Sequence, residues 1–97
     1  MPVVETLIFR LAPGSEEPAF LEADRAVQDE LVPNQPGFWR RTTARAPDGE
    51  WLVVTLWSDP EHAEAFAGQW EQSPVARRFL SLVDRESVRS GRYATLD

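Results

Sequence analysis

Hydrophobic residues in the first third of the chain follow two different periods, which predict a strand and then a helix. β-Branched and large apolar side chains dominate residues 3–11, and turn residues at 12–14 close this strand. Ser15 then has the chemistry of a helix N-cap, with acidic residues in the turn that follows. From there apolar residues recur three and four positions apart, which predicts an amphipathic helix that ends near Pro33. The apolar stripe consists of Phe20, Ala23, Val27 and Leu31.

The middle of the chain has the pattern of a β-hairpin. Strands are predicted over residues 38–44 and 51–57, and Asp48-Gly49 lies in the tight turn between them. The second strand is mostly apolar on both faces, because its side chains alternate between two sets. These sets are Leu52, Val54 and Leu56 on one face and Trp51, Val53, Thr55 and Trp57 on the other. Helices in one small domain cover only one face of a sheet, so we expect a second subunit to cover the other.

Two more helices and a last strand are predicted after the hairpin. Ser58 and Glu61 have the spacing of a capping box and open a helix that ends near Gln72. Its apolar face consists of Ala63, Phe66, Ala67 and Trp70. Ser73-Pro74 opens a third helix by similar capping logic, and residues 87–93 form the closing strand. The inward positions of the third helix are Val75, Phe79 and Leu82 or Val83.

The order strand, helix, strand, strand, helix, helix, strand predicts an α+β fold. It is the ferredoxin-like split βαβ pattern, an antiparallel sheet with its helices on one face, in a single domain over residues 1–97. An apolar sheet face left open in a monomer usually marks an interface. We therefore expect a homodimer whose sheets meet, with Trp39 and Trp51 facing the partner subunit.

Composition and charge narrow the classes of partner. The net charge is −6, all ten basic residues are arginine, and there is no cysteine. The acidic balance argues against nucleic acid, and the missing cysteine excludes disulfides, thiolate catalysis and sulfur-ligated zinc. No apolar run has the length of a membrane span, and the first residues lack the pattern of a signal peptide. We expect a cytoplasmic protein with a small, neutral or apolar partner, or a second copy of the chain.

Four tryptophans in so short a chain are the unusual feature. Trp57 ends a predicted strand, and Trp70 lies on the helix packed above it, so the two are predicted to line one cleft together with Phe66. An apolar cleft lined by aromatic side chains suits a planar aromatic ligand. The competing interpretation is that these side chains only fill the core and a subunit contact.

Few polar side chains are candidates for chemistry. Arg40 and Arg41 are adjacent on a strand and point to opposite faces, so one of them either stabilises an oxyanion in the cleft or forms a salt bridge. His62, the single histidine, is either a base or a solvated side chain of the helix. Tyr93 either donates a hydrogen bond to a ligand or anchors the last strand. The sequence has no phosphate-binding loop and no metal-ligand spacing, so no cofactor and no metal are predicted.

With these residues placed, the chain resembles the antibiotic biosynthesis monooxygenase family of the dimeric α+β barrel superfamily. The resemblance spans nearly the whole chain and implies a dimeric α+β barrel. It rests on Pro36-Gly37-Phe38, Asp48-Gly49, Trp57-Ser58, Glu61, Ala63, Trp70, Ser73, Pro74 and Phe79.

The resemblance also implies activities that differ between branches of the family. Cofactor-independent oxygenases of aromatic polyketides carry a tryptophan that Trp57 matches, although Val53 or Thr55 stands in place of their asparagine. Haem-degrading members carry a histidine where this chain has Leu80, and an asparagine on the first strand that residues 3–11 lack. Haem breakdown is therefore not expected.

Three functions remain open on the sequence. The first is a homodimeric cofactor-independent monooxygenase acting on an aromatic or polyketide-type small molecule. Its predicted catalytic residues are Trp57, Arg40, Arg41 and His62, and its predicted substrate-binding residues are Trp70, Phe66, Trp39 and Tyr93. The second is a non-catalytic ligand-binding or interaction module of the same fold. Haem binding without turnover is a third possibility.

Overall fold

The structure, a computed structural model, describes residues 1–96 and contains four strands and three α-helices in that part of the chain. The strands are β1 (Val3–Phe9), β2 (Phe38–Arg45), β3 (Trp51–Trp57) and β4 (Arg89–Ala94). The helices are α1 (Glu17–Ala26), α2 (Pro60–Gln69) and α3 (Pro74–Ser81). A π-helical turn, Val27–Leu31, follows α1, and 3₁₀ turns cover Val32–Asn34, Trp70–Gln72 and Arg85–Ser87.

The four strands form one antiparallel sheet in the order β2-β3-β1-β4. The predicted ferredoxin-like α+β fold is therefore confirmed. The first strand ends at Phe9 rather than at residue 11, because the chain beyond it leaves the ladder and Leu11 forms only an isolated bridge with Val83.

The helices cover one face of the sheet, and the aromatic core lies between the two layers. Phe20 from α1 packs against Trp51 with ring centroids 4.7 Å apart, and Phe79 from α3 packs against Phe9 at 5.7 Å. Trp51 is only 5 % exposed, so the expectation that it faces a partner subunit is wrong. The alternation along β3 is as predicted, but the set that contains Trp51 is the one beneath the helices.

A β-bulge near the start of β2 decides where three side chains point. The register shifts between Phe38 and Arg40, which leaves Trp39 between them and 55 % exposed. After the bulge Arg40 pairs with Leu56 and is exposed, whereas Arg41 pairs with Thr55 and is buried beneath the helices. The two arginines thus point to opposite faces, as the alternation predicts.

The other face of the sheet carries no helix, and we call it the open sheet face. Its centre consists of apolar or β-branched side chains from β1 and β3, each partly exposed. These are Val4, Thr6, Ile8, Leu52, Val54 and Leu56.

Helix starts match the predictions in one case of three. Ser73 Oγ accepts the Val75 N–H at 3.2 Å and caps α3 as expected. The N-cap of α2 is Asp59 rather than Ser58, because the Asp59 carboxylate accepts the His62 N–H at 2.9 Å. α1 begins after Glu16 without a side-chain cap, so Ser15 does not serve as its N-cap. Within residues 1–96 none of the helices combines the length and the apolar character needed to cross a bilayer.

Candidate functional site

A cavity of about 450 Å³ lies between the sheet and the helices. Its volume is within the range of pockets that bind small organic molecules. The upper wall comes from the helices and the turn after α1, and it is almost entirely apolar. The residues of this wall are Val27, Val32, Phe66, Ala67, Trp70 and Phe79.

Aromatic rings make up much of this wall. Phe66 and Trp70 are four positions apart on α2 and the turn that follows it, and their ring centroids lie 6.0 Å apart. Trp70 in turn meets Phe79 edge-on at 5.8 Å. Both predicted ligand-binding residues of this helix, Phe66 and Trp70, therefore lie at the cavity. They present flat apolar surface to its interior.

Trp57 lies behind this wall rather than on it. Its ring packs 5.1 Å from that of Phe66, and the side chain is almost completely buried. The indole Nε1–H has no hydrogen-bond partner among the described residues, which is uncommon for a buried polar group. Trp57 thus supports the cavity wall through Phe66 and does not line the cavity itself.

The floor of the cavity carries a polar row that crosses the sheet. Arg41 pairs with Thr55, Thr55 pairs with Glu5, and Glu5 pairs with Arg92. All four residues line the cavity, one from each strand. We call this set the polar row. Its members share one face because they occupy one register line across β2, β3, β1 and β4.

Arg41 forms one end of the polar row and is held by α1 and by the π-helical turn that follows it. Its Nη2–H donates to Asp24 Oδ1 at 2.7 Å, and its Nη1–H donates to Gln28 Oε1 at 3.3 Å. The side chain is only 4 % exposed, and Asp24 Oδ1 also accepts the Thr43 hydroxyl at 3.0 Å. Arg41 therefore lines the cavity and forms a salt bridge at once. The salt bridge is one of the two roles left open by the sequence, and stabilisation of an oxyanion stays a prediction.

Glu5 and Arg92 form the other end of the row, and the sequence reasoning missed both. Arg92 donates from Nε and Nη2 to Glu5 Oε2 at 3.0 and 2.8 Å, and from Nη1 to Glu64 Oε2 on α2 at 3.2 Å. The hydrogen bond with Glu5 is the main reason that the pKa of Arg92 is raised. One signal was available: Glu5 is a charged residue in the alternating set of β1 that also contains the buried Val3 and Phe9.

The remaining predicted site residues lie outside the cavity. Arg40 is on the open sheet face, and Trp39 is at the bulge. Tyr93 also belongs to the open sheet face, where its ring lies over Gly91 so closely that a Cβ at Gly91 would be 2.8 Å from the Tyr93 hydroxyl. His62 is in the first turn of α2, with Nδ1 2.8 Å from the Asp59 carboxylate.

Residues 1–96 contain no group of three or more histidine, cysteine, aspartate or glutamate side chains placed to hold a metal ion.

Comparison with known proteins gives a match in structure alone. No family model matches the sequence, and neither does any curated protein. The structure superposes on SnoaB, a cofactor-independent oxygenase from Streptomyces nogalater, with a TM-score of 0.81 and 18% identity over 99% of this chain and 94% of that one. A candidate antibiotic biosynthesis monooxygenase from Caulobacter crescentus CB15 gives a TM-score of 0.81 at 10% identity over 99% and 91% of the two chains.

The chain has the fold of the antibiotic biosynthesis monooxygenases. A further neighbour with this fold is a dimeric ferredoxin-like protein of unknown function from Jannaschia sp. CCS1, with a TM-score of 0.74 at 12% identity over 98% and 100% of the two chains. At such identities the monooxygenase fold is what the likeness establishes, and activity has to be argued from the cavity.

Proposed function

We propose that the protein is a homodimeric, cofactor-independent monooxygenase that acts on an aromatic or polyketide-type small molecule. The observation that carries this proposal is the cavity, which combines an aromatic wall with a polar floor. The structural likeness to a cofactor-independent oxygenase supports it.

The cavity suits a flat, electron-rich molecule. Phe66 and Trp70 offer apolar ring surface on one side, and the polar row offers charged and hydroxyl groups on the other. Aromatic rings gain about 0.5–1.5 kcal/mol per pair from stacked or edge-on contact beyond the burial of their area. A fused-ring ligand between these two surfaces buries both of its faces while its oxygen atoms reach the floor.

In such a reaction the substrate itself supplies the electrons. A substrate methylene group and dioxygen give a carbonyl group and water, so one oxygen atom enters the substrate and the other leaves as water. The reacting form is the substrate anion, whose negative oxygen needs a fixed donor. Arg41 is such a donor, because Asp24 and Gln28 occupy only two of its five N–H groups and hold it in place at the cavity.

Oxygen uptake tests this proposal. We expect the protein to consume dioxygen above background when anthrones or hydroquinones are added under air, as measured with an oxygen electrode. Trp70→Ala removes a large part of the aromatic wall, so we expect kcat/KM to fall at least about tenfold, which corresponds to about 1.4 kcal/mol. Leu21→Ala is the matched control, because Leu21 is an exposed apolar residue on α1 away from the cavity. Absence of uptake with both compound classes would contradict the proposal.

A non-catalytic ligand-binding module is the second candidate. Both arginines of the polar row pair with carboxylates of the chain itself, and this observation favours the module. A stable binding pocket also requires its buried charges to be paired. A module of this kind is expected to bind the same ring compounds without any oxygen uptake. Binding is measured as quenching of tryptophan fluorescence, and Trp70→Ala is expected to abolish this quenching.

A further inference from the structure

Glu5 has a chemical property that no other cavity residue shares. Among the described residues that line the cavity, it is the one carboxylate, and there is no histidine or tyrosine beside it. Arg41 and Arg92 are cations, and the hydroxyl groups of Thr55 and Ser90 are neutral at ordinary pH. Among these side chains, the Glu5 carboxylate is therefore the candidate acceptor for a proton released inside the cavity.

The hydrogen bonds of Glu5 leave one oxygen atom available. Both contacts from Arg92 fall on Oε2, at 2.8 and 3.0 Å, and Oε1 has no protein partner in the part of the chain that the structure describes. The side chain is 24 % exposed, on a central strand of the sheet. Arg92 thus holds the carboxylate in one orientation, with Oε1 unoccupied.

The polar row also fixes the distance between Arg41 and Glu5. Arg41 on β2 and Glu5 on β1 are separated by one strand, since both pair with Thr55. Their backbones are therefore roughly 10 Å apart, because neighbouring strands lie about 4.8 Å from each other. This separation allows side chains from the two positions to meet opposite edges of one ring system.

We infer that Glu5 Oε1 is the catalytic base that takes a proton from the substrate, while Arg41 holds the substrate oxygen at the opposite edge. This inference rests on the proposed function. The substrate class is a fused-ring ketone with an acidic methylene group opposite its carbonyl. The C–H bond breaks, its proton goes to Glu5 Oε1, and its electron pair delocalises onto the oxygen atom beside Arg41.

The remaining steps return the proton. The substrate anion transfers electrons to dioxygen and a C–O bond forms, which gives a peroxide anion. That anion takes the proton back from Glu5 and gives a neutral hydroperoxide. Its remaining C–H bond then breaks, the electron pair of that bond forms the carbonyl double bond as the O–O bond breaks, and the released proton and hydroxide leave as water. Glu5 ends the cycle ionised. Dioxygen is the oxidant and the substrate methylene group is the reductant.

The proton transfer is measurable without dioxygen. Anthrone carries a methylene group opposite its carbonyl, and exchange of the methylene hydrogens in D₂O under argon is followed by proton NMR. We expect the wild-type protein to accelerate this exchange and Glu5→Gln to lower the protein-catalysed rate at least about 100-fold, the lower end of what a general base contributes. Glu17→Gln is the matched control, because Glu17 also pairs with an arginine, Arg45, but does not line the cavity. We expect the Glu17→Gln variant to catalyse the exchange at the wild-type rate.

The outcomes separate this inference from the proposed function. Oxygen uptake that survives Glu5→Gln supports a monooxygenase and overturns Glu5 as the base. Exchange under argon that Glu5→Gln abolishes, with no oxygen uptake by the wild type, supports Glu5 and overturns the monooxygenase. If the wild type accelerates neither, both are overturned. Circular dichroism shows whether the Glu5→Gln variant folds. If it does not fold, Glu5→Asp takes its place in the test, because this variant keeps a carboxylate and is expected to retain part of the exchange. A Glu5→Asp variant that shows no exchange overturns the inference.

Discussion

At the scale of single residues, Asp59 shows how one short side chain organises a helix start. Its carboxylate accepts the backbone N–H of His62 at 2.9 Å and the Ser58 hydroxyl at 3.0 Å, and lies 2.8 Å from His62 Nδ1. These contacts, the His62 N–H above all, lower the pKa of Asp59 from 3.8 to about 2. The ionised carboxylate is therefore the form that the folded protein favours.

This pKa predicts an acid-dependent loss of stability. Because the pKa of Asp59 is lower in the folded protein than in the unfolded chain, its contribution is complete above pH 4 and is lost as the pH falls from about 4 to about 2. We expect Asp59→Asn to be less stable than the wild type at pH 6, and the difference to shrink across that window. Urea unfolding at pH 6, 4, 3 and 2 measures it, with the exposed Asp29→Asn as control. A difference that is the same at pH 2 and pH 6 would contradict this account.

The sequence predicted those site residues that local spacing determines. Phe66 and Trp70 are four positions apart on one helix, so their common face follows from helical geometry. Alternation along β2 shows that either Arg40 or Arg41 faces the helices, and the bulge decides that it is Arg41. Glu5 and Arg92 are 87 positions apart, and only the register between β1 and β4 brings them together. Sequence periodicity carries no information about that register.

At the scale of elements, the same kind of limit explains the error at Trp51. Alternation divided β3 correctly into two sets of side chains, but both sets are mostly apolar, so it did not show which one lies under the helices. The partner strands decide this: Trp51 pairs with Phe9, which is buried in the core. The fold class depended on the order of strands and helices along the chain, and it was confirmed.

The turn before β2 is packed tightly against the start of α2. Gly37 has a φ of +78°, and its carbonyl oxygen accepts the Ser58 N–H at 2.8 Å. A Cβ atom at Gly37 would lie 2.5 Å from Cγ of His62. The His62 side chain therefore packs directly against the backbone of residue 37, and only glycine leaves room for that contact.

Gly37→Ala and Gly14→Ala separate backbone strain from packing. Gly14 has a similar φ of +84°, but a Cβ atom there meets nothing within 4 Å. We expect Gly14→Ala to cost about 1 kcal/mol, from the left-handed backbone alone. Gly37→Ala is expected to cost about 3 kcal/mol, because steric overlap with His62 adds to that strain. Urea unfolding of both variants measures the difference, and equal losses would rule out a tight contact at His62.

At the scale of the whole molecule, the open sheet face is the surface that a monomer leaves uncovered. Val54 lies at its centre, paired with Thr6 on one side and Thr42 on the other. Contiguous apolar surface of this kind is typical of subunit contacts. A neighbour with the same fold is dimeric, which supports the proposal of a homodimer.

Light scattering after size exclusion tests the dimer. We expect the wild type at micromolar concentration to have twice the chain mass of 11.0 kDa. Val54→Glu places a charge in the middle of the contact and is expected to give a monomer, because an unpaired buried charge costs several kcal/mol. Leu21→Glu is the control, since Leu21 is 44 % exposed on α1, away from this face. A wild-type mass of 11.0 kDa would show that the sheets do not associate.

The π-helical turn after α1 restricts how the length of the chain can vary. The Val32 N–H donates to the carbonyl of Val27, five residues earlier, and this wide turn brings both valines to the cavity wall. In a regular α-helix two residues five apart differ in direction by roughly 140°, because each residue turns the helix by about 100°. Deleting one residue between them would restore α-helical spacing but shift every position that follows. A deletion in this turn is therefore expected to change the shape of the cavity, because its extra residue is what brings both valines to the wall.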